Sequence, residues 1–110
     1  MVKVGQQIKA FLVSEVSYLY IVEKIVFARL KTGERYPVDF SLDQLEKELD
    51  PARFFRINRS FIISFEAIDK FFTYYKSRIK VVLKPPCEEE SISSTERSPL
   101  FRSWLNGNSD

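Results

Sequence analysis

The chain of 110 residues has no histidine, one cysteine, one tryptophan and only three glycines. Without imidazole, a catalytic triad lacks its usual base and a metal centre lacks its commonest ligand. Enzymatic activity is therefore not expected, and the sequence offers no catalytic residue. A lone thiol, Cys87, rules out an internal disulfide and leaves a thiolate metal site without a second sulfur ligand, so neither a metal nor another cofactor is expected. Cys87 stands between a proline pair and a glutamate run, where an exposed thiol with no basic neighbour is expected to be unreactive. No run of 18 apolar residues is present, and the N-terminus lacks the charged, apolar and small-residue zones of a secretory leader. The expectation is a cytoplasmic protein with no membrane contact.

What is present is a well-filled apolar complement, 45% hydrophobic and 15% aromatic. That is enough for residues 1–110 to fold as one domain around its own core. The 17 basic and 15 acidic residues nearly cancel, so total charge does not mark a polyanion-binding protein. Their distribution is less even. Residues 56–84 carry seven basic side chains (Arg56, Arg59, Lys70, Lys76, Arg78, Lys80, Lys84) against Glu66 and Asp69, which leaves the rest of the chain net acidic, including the run 88–90.

Strand signals, by alternation or by β-rich composition, dominate the pattern. Val2, Val4, Ile8, Ala10 and Leu12 alternate with polar residues and predict a hairpin turning near residues 5–7. Residues 18–22, 25–30 and 35–40 predict a meander, with Gly33 in one of its turns. Helical spacing replaces alternation at Leu42, Leu45 and Leu49, behind a Ser41 and Gln44 that match a capping box, and Pro51 closes that helix. Residues 68–75 and 79–83 predict two more strands. Pro85 and Pro86 stop the sheet ladder, the glutamates that follow predict a solvated loop, and Ile92 fits a short last strand. Ser98 and Pro99 then match a helix start, with Leu100, Phe101, Trp104 and Leu105 as an apolar stripe and Asn106 and Gly107 at its end.

Two arginines and an asparagine interrupt the apolar run at 54–64, which reads Phe-Phe-Arg-Ile-Asn-Arg-Ser-Phe-Ile-Ile-Ser. The flanks have strand composition, and Asn58, Arg59 and Ser60 suit a tight turn between them. Arg59 is thereby placed on a rigidly supported tip, where a guanidinium can engage a phosphate or a guanine edge, or instead pair with a surface carboxylate. Arg56 is expected to pack its stem on the sheet and to carry its head to a phosphate or a nearby carboxylate. Lys76, Arg78 and Lys80 add non-specific affinity if they share the face of Arg59, and are otherwise solvated strand residues. Phe71, Phe72, Tyr74 and Tyr75 are better explained by core and inter-sheet packing than as platforms for stacking bases.

The 54–64 segment resembles the central signature of the LytTR family, the DNA-binding output domains of bacterial response regulators, in which aromatic-Arg-x-His-Arg-Ser is usual. Residues 41–49 are similar to that family's short amphipathic helix, residues 15–30 to its paired strands, and residues 85–105 to the ending of one of its branches. The resemblance implies a mainly β fold, an elongated arrangement of small antiparallel sheets with two short helices. It implies binding of double-stranded DNA by loops entering the major groove, as a dimer on tandem repeats, under control of a receiver domain elsewhere in a longer response regulator. Carried over by position, the implied DNA-binding residues are Lys24, the pair Asn58 and Arg59, and the segment around Ser94, with Arg56 behind the turn. Where the family has Ser-Arg, this chain reads Ser94-Thr95-Glu96-Arg97: the family arginine is replaced by Thr95, and Arg97, two positions on, is the candidate to take its place. The competing class is a protein-interaction module that uses exposed β edges and the C-terminal helix.

Overall fold

The computed structural model describes residues 2–3 and 10–107. Strands β1 (Val2–Lys3) and β2 (Ala10–Phe11) pair antiparallel, while the turn expected near residues 5–7 lies outside the described residues. Leu12 does not continue the alternation. It is 54% exposed and leads into a 3₁₀ turn, Val13–Glu15, whose Glu15 carboxylate accepts from the Leu12 amide at 2.7 Å.

The expected meander follows as β3 (Val16–Val22), β4 (Ile25–Leu30) and β5 (Arg35–Val38). Pro37, opposite Phe27, is tolerated because β5 is an edge strand. Helix α1 (Leu42–Glu48) begins as the sequence predicts: Ser41 Oγ accepts from the Gln44 amide at 3.1 Å, and Gln44 Oε1 accepts from the Ser41 amide at 2.9 Å. Its Leu42 and Leu45, with Leu49 just beyond, are buried. The hairpin of β6 (Phe54–Asn58) and β7 (Phe61–Ser64) returns beside β3, giving a five-stranded antiparallel sheet in the order β5-β4-β3-β7-β6. Strands β8 (Ile68–Tyr74), β9 (Arg78–Leu83) and β10 (Ser91–Ile92) form a second antiparallel sheet in the order β10-β9-β8, and α2 (Ser98–Gly107) closes the described chain.

Strand pleat sends successive side chains to opposite faces, so β3 and β7 are buried on both. On one face Leu19, Ala28, Phe54 and Ile62 meet the leucines of α1. On the other, Tyr18, Tyr20, Ile57, Phe61 and Ile63 meet Ile79, Val81 and Leu83 of the second sheet and Phe101 of α2. The result is three layers, with the larger sheet in the middle.

Three local expectations are corrected. Ser98 is not the cap of α2. Ser94 Oγ accepts the Arg97 amide at 3.2 Å, and the buried Ser98 hydroxyl instead bonds the Ser94 carbonyl at 2.7 Å and lies 2.6 Å from Ser93 Oγ. Leu100 leaves the apolar stripe and is 60% exposed, whereas Phe101 is fully buried. The aromatics at this end of the second sheet do not fill the core: Phe71 and Phe72 of β8 and Tyr75, just beyond it, are exposed, β8 being an edge strand that pairs only with β9.

The glutamate run is not purely a solvated loop. Glu88 accepts from Tyr20 Oη at 2.8 Å and from Arg29 Nη2 at 3.1 Å, and lies 3.7 Å from Arg35 Nη1. Cys87, expected to be exposed, is half-buried beside Tyr18, and burial pushes its thiol pKa up. The Tyr20 hydrogen bond, helped by Arg29 and Arg35, holds the Glu88 carboxyl below its ordinary 4.5. Since the unfolded chain takes up this proton at higher pH than the folded one, the stabilisation is complete above about pH 4.5 and is lost as pH falls through the folded value. Glu88→Gln should therefore flatten the acid limb of a stability profile measured between pH 6 and 3 by urea titration.

Candidate functional site

Two hairpin turns emerge from the same end of the five-stranded sheet, because β3 and β7 are antiparallel neighbours and the Ile21 amide donates to the Ser60 carbonyl at 3.0 Å. The β3–β4 turn consists of Glu23 and Lys24, closed by the Val22–Ile25 pair, and both residues are left-handed, with φ of 49° and 70°. This is the two-residue geometry that matches strand twist but prefers Asn and Gly. Lys24 is thus exposed on a turn that its own backbone disfavours. Lys24→Gly should raise stability by about 1 kcal/mol, read by thermal melting, through relief of the left-handed penalty.

The β6–β7 turn presents Arg59, which is exposed. Asn58 does not share that tip, contrary to the sequence reading. Its Nδ2 donates to the Ile92 carbonyl at 2.7 Å and its Oδ1 accepts the Ser60 amide at 2.7 Å, so both ends of the amide hold the turn together and tie it to β10. Asn here fixes the backbone that carries Arg59.

Arg56 braces the same turn from behind. Pleating places it on the α1 face, where its side chain is 12% exposed. Its Nε donates to the Asn58 carbonyl at 3.1 Å and its Nη2 to the Arg59 carbonyl at 3.0 Å, while Nη1 bonds the Asp43 carboxylate and reaches Glu46 at 3.2 Å. The Arg56 hydrogen bond holds the Asp43 carboxyl below the usual carboxylate range. Of the two destinations open to the Arg56 head, the carboxylate is the one occupied.

The third expected element lies alongside. Ser94 is half-buried, its amide donating to the Ile57 carbonyl at 2.9 Å and its hydroxyl capping the turn that leads into α2. Arg97 Nη1 donates to Glu46 Oε2 at 3.1 Å and to the Arg56 carbonyl at 3.3 Å. A groove of about 540 Å³ is lined by Asp43, Arg56, Asn58, Arg59, Ser94, Glu96 and Arg97. Five of the six residues singled out in the sequence thus converge on one concavity, and Lys24 stands on the neighbouring turn. Asp43 and Glu46 were not singled out. Their one-turn spacing on α1 shows that they share a helix face, but not that this face meets β6.

Among the described residues, every other arginine spends its guanidinium on a protein oxygen. Arg29 and Arg35 reach Glu88, Arg53 reaches Glu66, Arg78 the Tyr75 carbonyl and Arg102 the Ser77 carbonyl. Arg59 alone has no such partner. Lys80 pairs with Glu90 at 3.5 Å, and Lys76 and Arg78 lie against Tyr75 and Tyr74, so the basic residues of β9 and its turn are largely engaged locally. No described helix is long and apolar enough to cross a membrane.

The model of the LytTr DNA-binding domain family matches residues 6–106. Among solved structures, the chain resembles the LytTr DNA-binding domain of a putative methyl-accepting/DNA response regulator from Bacillus cereus, with a TM-score of 0.81 at 22% identity, over 96% of this chain and 94% of that one. No curated protein matches.

Proposed function

This chain belongs to the LytTr DNA-binding domain family, and from that premise we propose that it binds duplex DNA sequence-specifically, by laying its paired turns into the major groove. The observation that carries this reading is Arg59, the one arginine among the described residues whose guanidinium is unclaimed, on a turn pinned by Asn58 and Arg56. A pre-set fork of donors is suited to the O6 and N7 acceptors of guanine, and fixing its backbone in advance lowers the ordering cost of binding. Lys24, on the adjacent turn, and Arg97, across the groove, are placed to contact flanking phosphates, which set register while Arg59 reads sequence. Asn58, Ser94 and Arg56 act at the interface by holding the residues that touch DNA.

The domain works as the output part of a longer cytoplasmic response regulator and occupies tandem repeats as a dimer, with a receiver domain setting occupancy. A single copy makes few contacts and should bind weakly, with a strong dependence on salt. Mobility shift on random duplex DNA at low salt, followed by selection of bound sequences from a random pool, tests the reading. Retarded duplex and an enriched motif support it, and no shift at low salt defeats it.

A second reading, a protein-docking module, is favoured by the exposed Phe71 and Phe72 on edge strand β8 and Tyr75 in the turn after it. It predicts unimpaired partner capture by a variant that cannot shift DNA.

A further inference from the structure

The groove is close to neutral, although three arginines border it. Asp43 and Glu96 line it with Arg56, Arg59 and Arg97, Glu46 stands behind the lining, and the carboxylates of α1 already occupy two of the arginines. A polyanion approaching this site therefore competes with the protein's own carboxylates.

The two occupied arginines differ in how firmly they are held. Arg56 is 12% exposed and makes contacts to two carboxylates and two carbonyls, so releasing it would strand several polar groups. Arg97 and Glu46 are each 37% exposed in their side chains and share a single contact at 3.1 Å, beside which Arg97 has only a longer bond to the Arg56 carbonyl at 3.3 Å. An ion pair that open to water holds only weakly. Phosphate offers Arg97 a replacement partner and, in addition, release of condensed counterions from the duplex.

We propose that Glu46 is an internal stand-in for a DNA phosphate: it holds Arg97 over the groove in the free protein and gives it up to the backbone of bound duplex. Glu46 is then an affinity-limiting residue and Arg97 an exchangeable one, while Arg56 stays with the fold. The exchange costs the same on any sequence, so it lowers all DNA affinity and leaves discrimination to Arg59. This inference rests on the DNA-binding reading and deepens it.

The test is a four-way comparison of the wild type, Glu46→Gln, Arg97→Gln and the double variant, each titrated at several salt concentrations against a selected duplex and a scrambled one. Glu46→Gln should bind both duplexes about two- to fivefold more tightly, the scale of one exposed ion pair. Arg97→Gln should weaken both and reduce the salt slope by about 0.9, the value for one lost phosphate contact. In the Arg97→Gln background the gain from Glu46→Gln should vanish, and Arg97→Lys, which keeps the charge, should retain most of the slope. Thermal melts of each variant separate these effects from loss of folding. No gain from Glu46→Gln, or a gain that persists undiminished without Arg97, overturns the exchange while wild-type binding leaves the DNA-binding reading intact. Failure of the wild type to bind either duplex at low salt overturns both.

Discussion

Arg59→Ala should weaken binding to a selected duplex by about 1–3 kcal/mol, roughly 5- to 150-fold, and leave the melting temperature almost unchanged. The two halves of this expectation come from one geometry. The Arg59 guanidinium has no partner among the described residues, so its removal takes nothing from the fold. The turn beneath it is held through Asn58 and through the Arg59 carbonyl, and both survive truncation of the side chain. If the guanidinium reads guanine, the loss should fall mainly on the selected sequence and the ratio to a scrambled duplex should shrink. An equal loss on both sequences would reduce Arg59 to a phosphate contact, and no loss on either would remove it from the interface.

The largest stability effect is expected at Phe101. It is fully buried, stacked on Phe55 with ring centroids 5.3 Å apart and on Trp104 at 6.0 Å. Phe101→Ala should cost about 3–5 kcal/mol through lost transfer energy and the cavity left among rings that cannot easily collapse. A domain of this size has on the order of 5–15 kcal/mol in total, so a melting temperature lower by roughly 15–30 °C is expected from circular dichroism. Leu100→Ala, one residue away and 60% exposed, should be nearly silent. The contrast also bears on the site. The Phe101 amide donates to the Arg97 carbonyl at 2.8 Å, so anchoring α2 anchors the turn that carries Arg97. Similar melts for the two variants would mean that α2 is held elsewhere.

Much of the fold is legible in residue order because its causes are local. Aromatic and branched composition marks β3 and β4, the Ser41 and Gln44 pair marks the start of α1, and strand composition on either side of Asn58 and Arg59 marks the hairpin. What escaped depends on neighbours distant along the chain. Nothing near Asn58 says that its amide will meet the Ile92 carbonyl, and nothing near Arg56 says that α1 will bring Asp43 and Glu46 against it. The aromatics of β8 look the same in sequence as those of β3. They differ only because β3 has strands on both sides and a layer over each face, whereas β8 is an edge. The site followed the same division: sequence chose the residues that gather at the groove, and only the fold separates the one that projects from those that hold it.

The groove lies across a seam. Asp43 comes from the helix over one apolar cluster, Ser94 and Arg97 from the segment that leads into the helix over the other, and Arg56 and Arg59 from the sheet between them. A ligand seated there bridges all three layers of the laminate at its open end, as a clasp closes the edge of a book. The binding energy of a ligand held there would oppose separation of the layers and add to the cohesion of the domain by mass action.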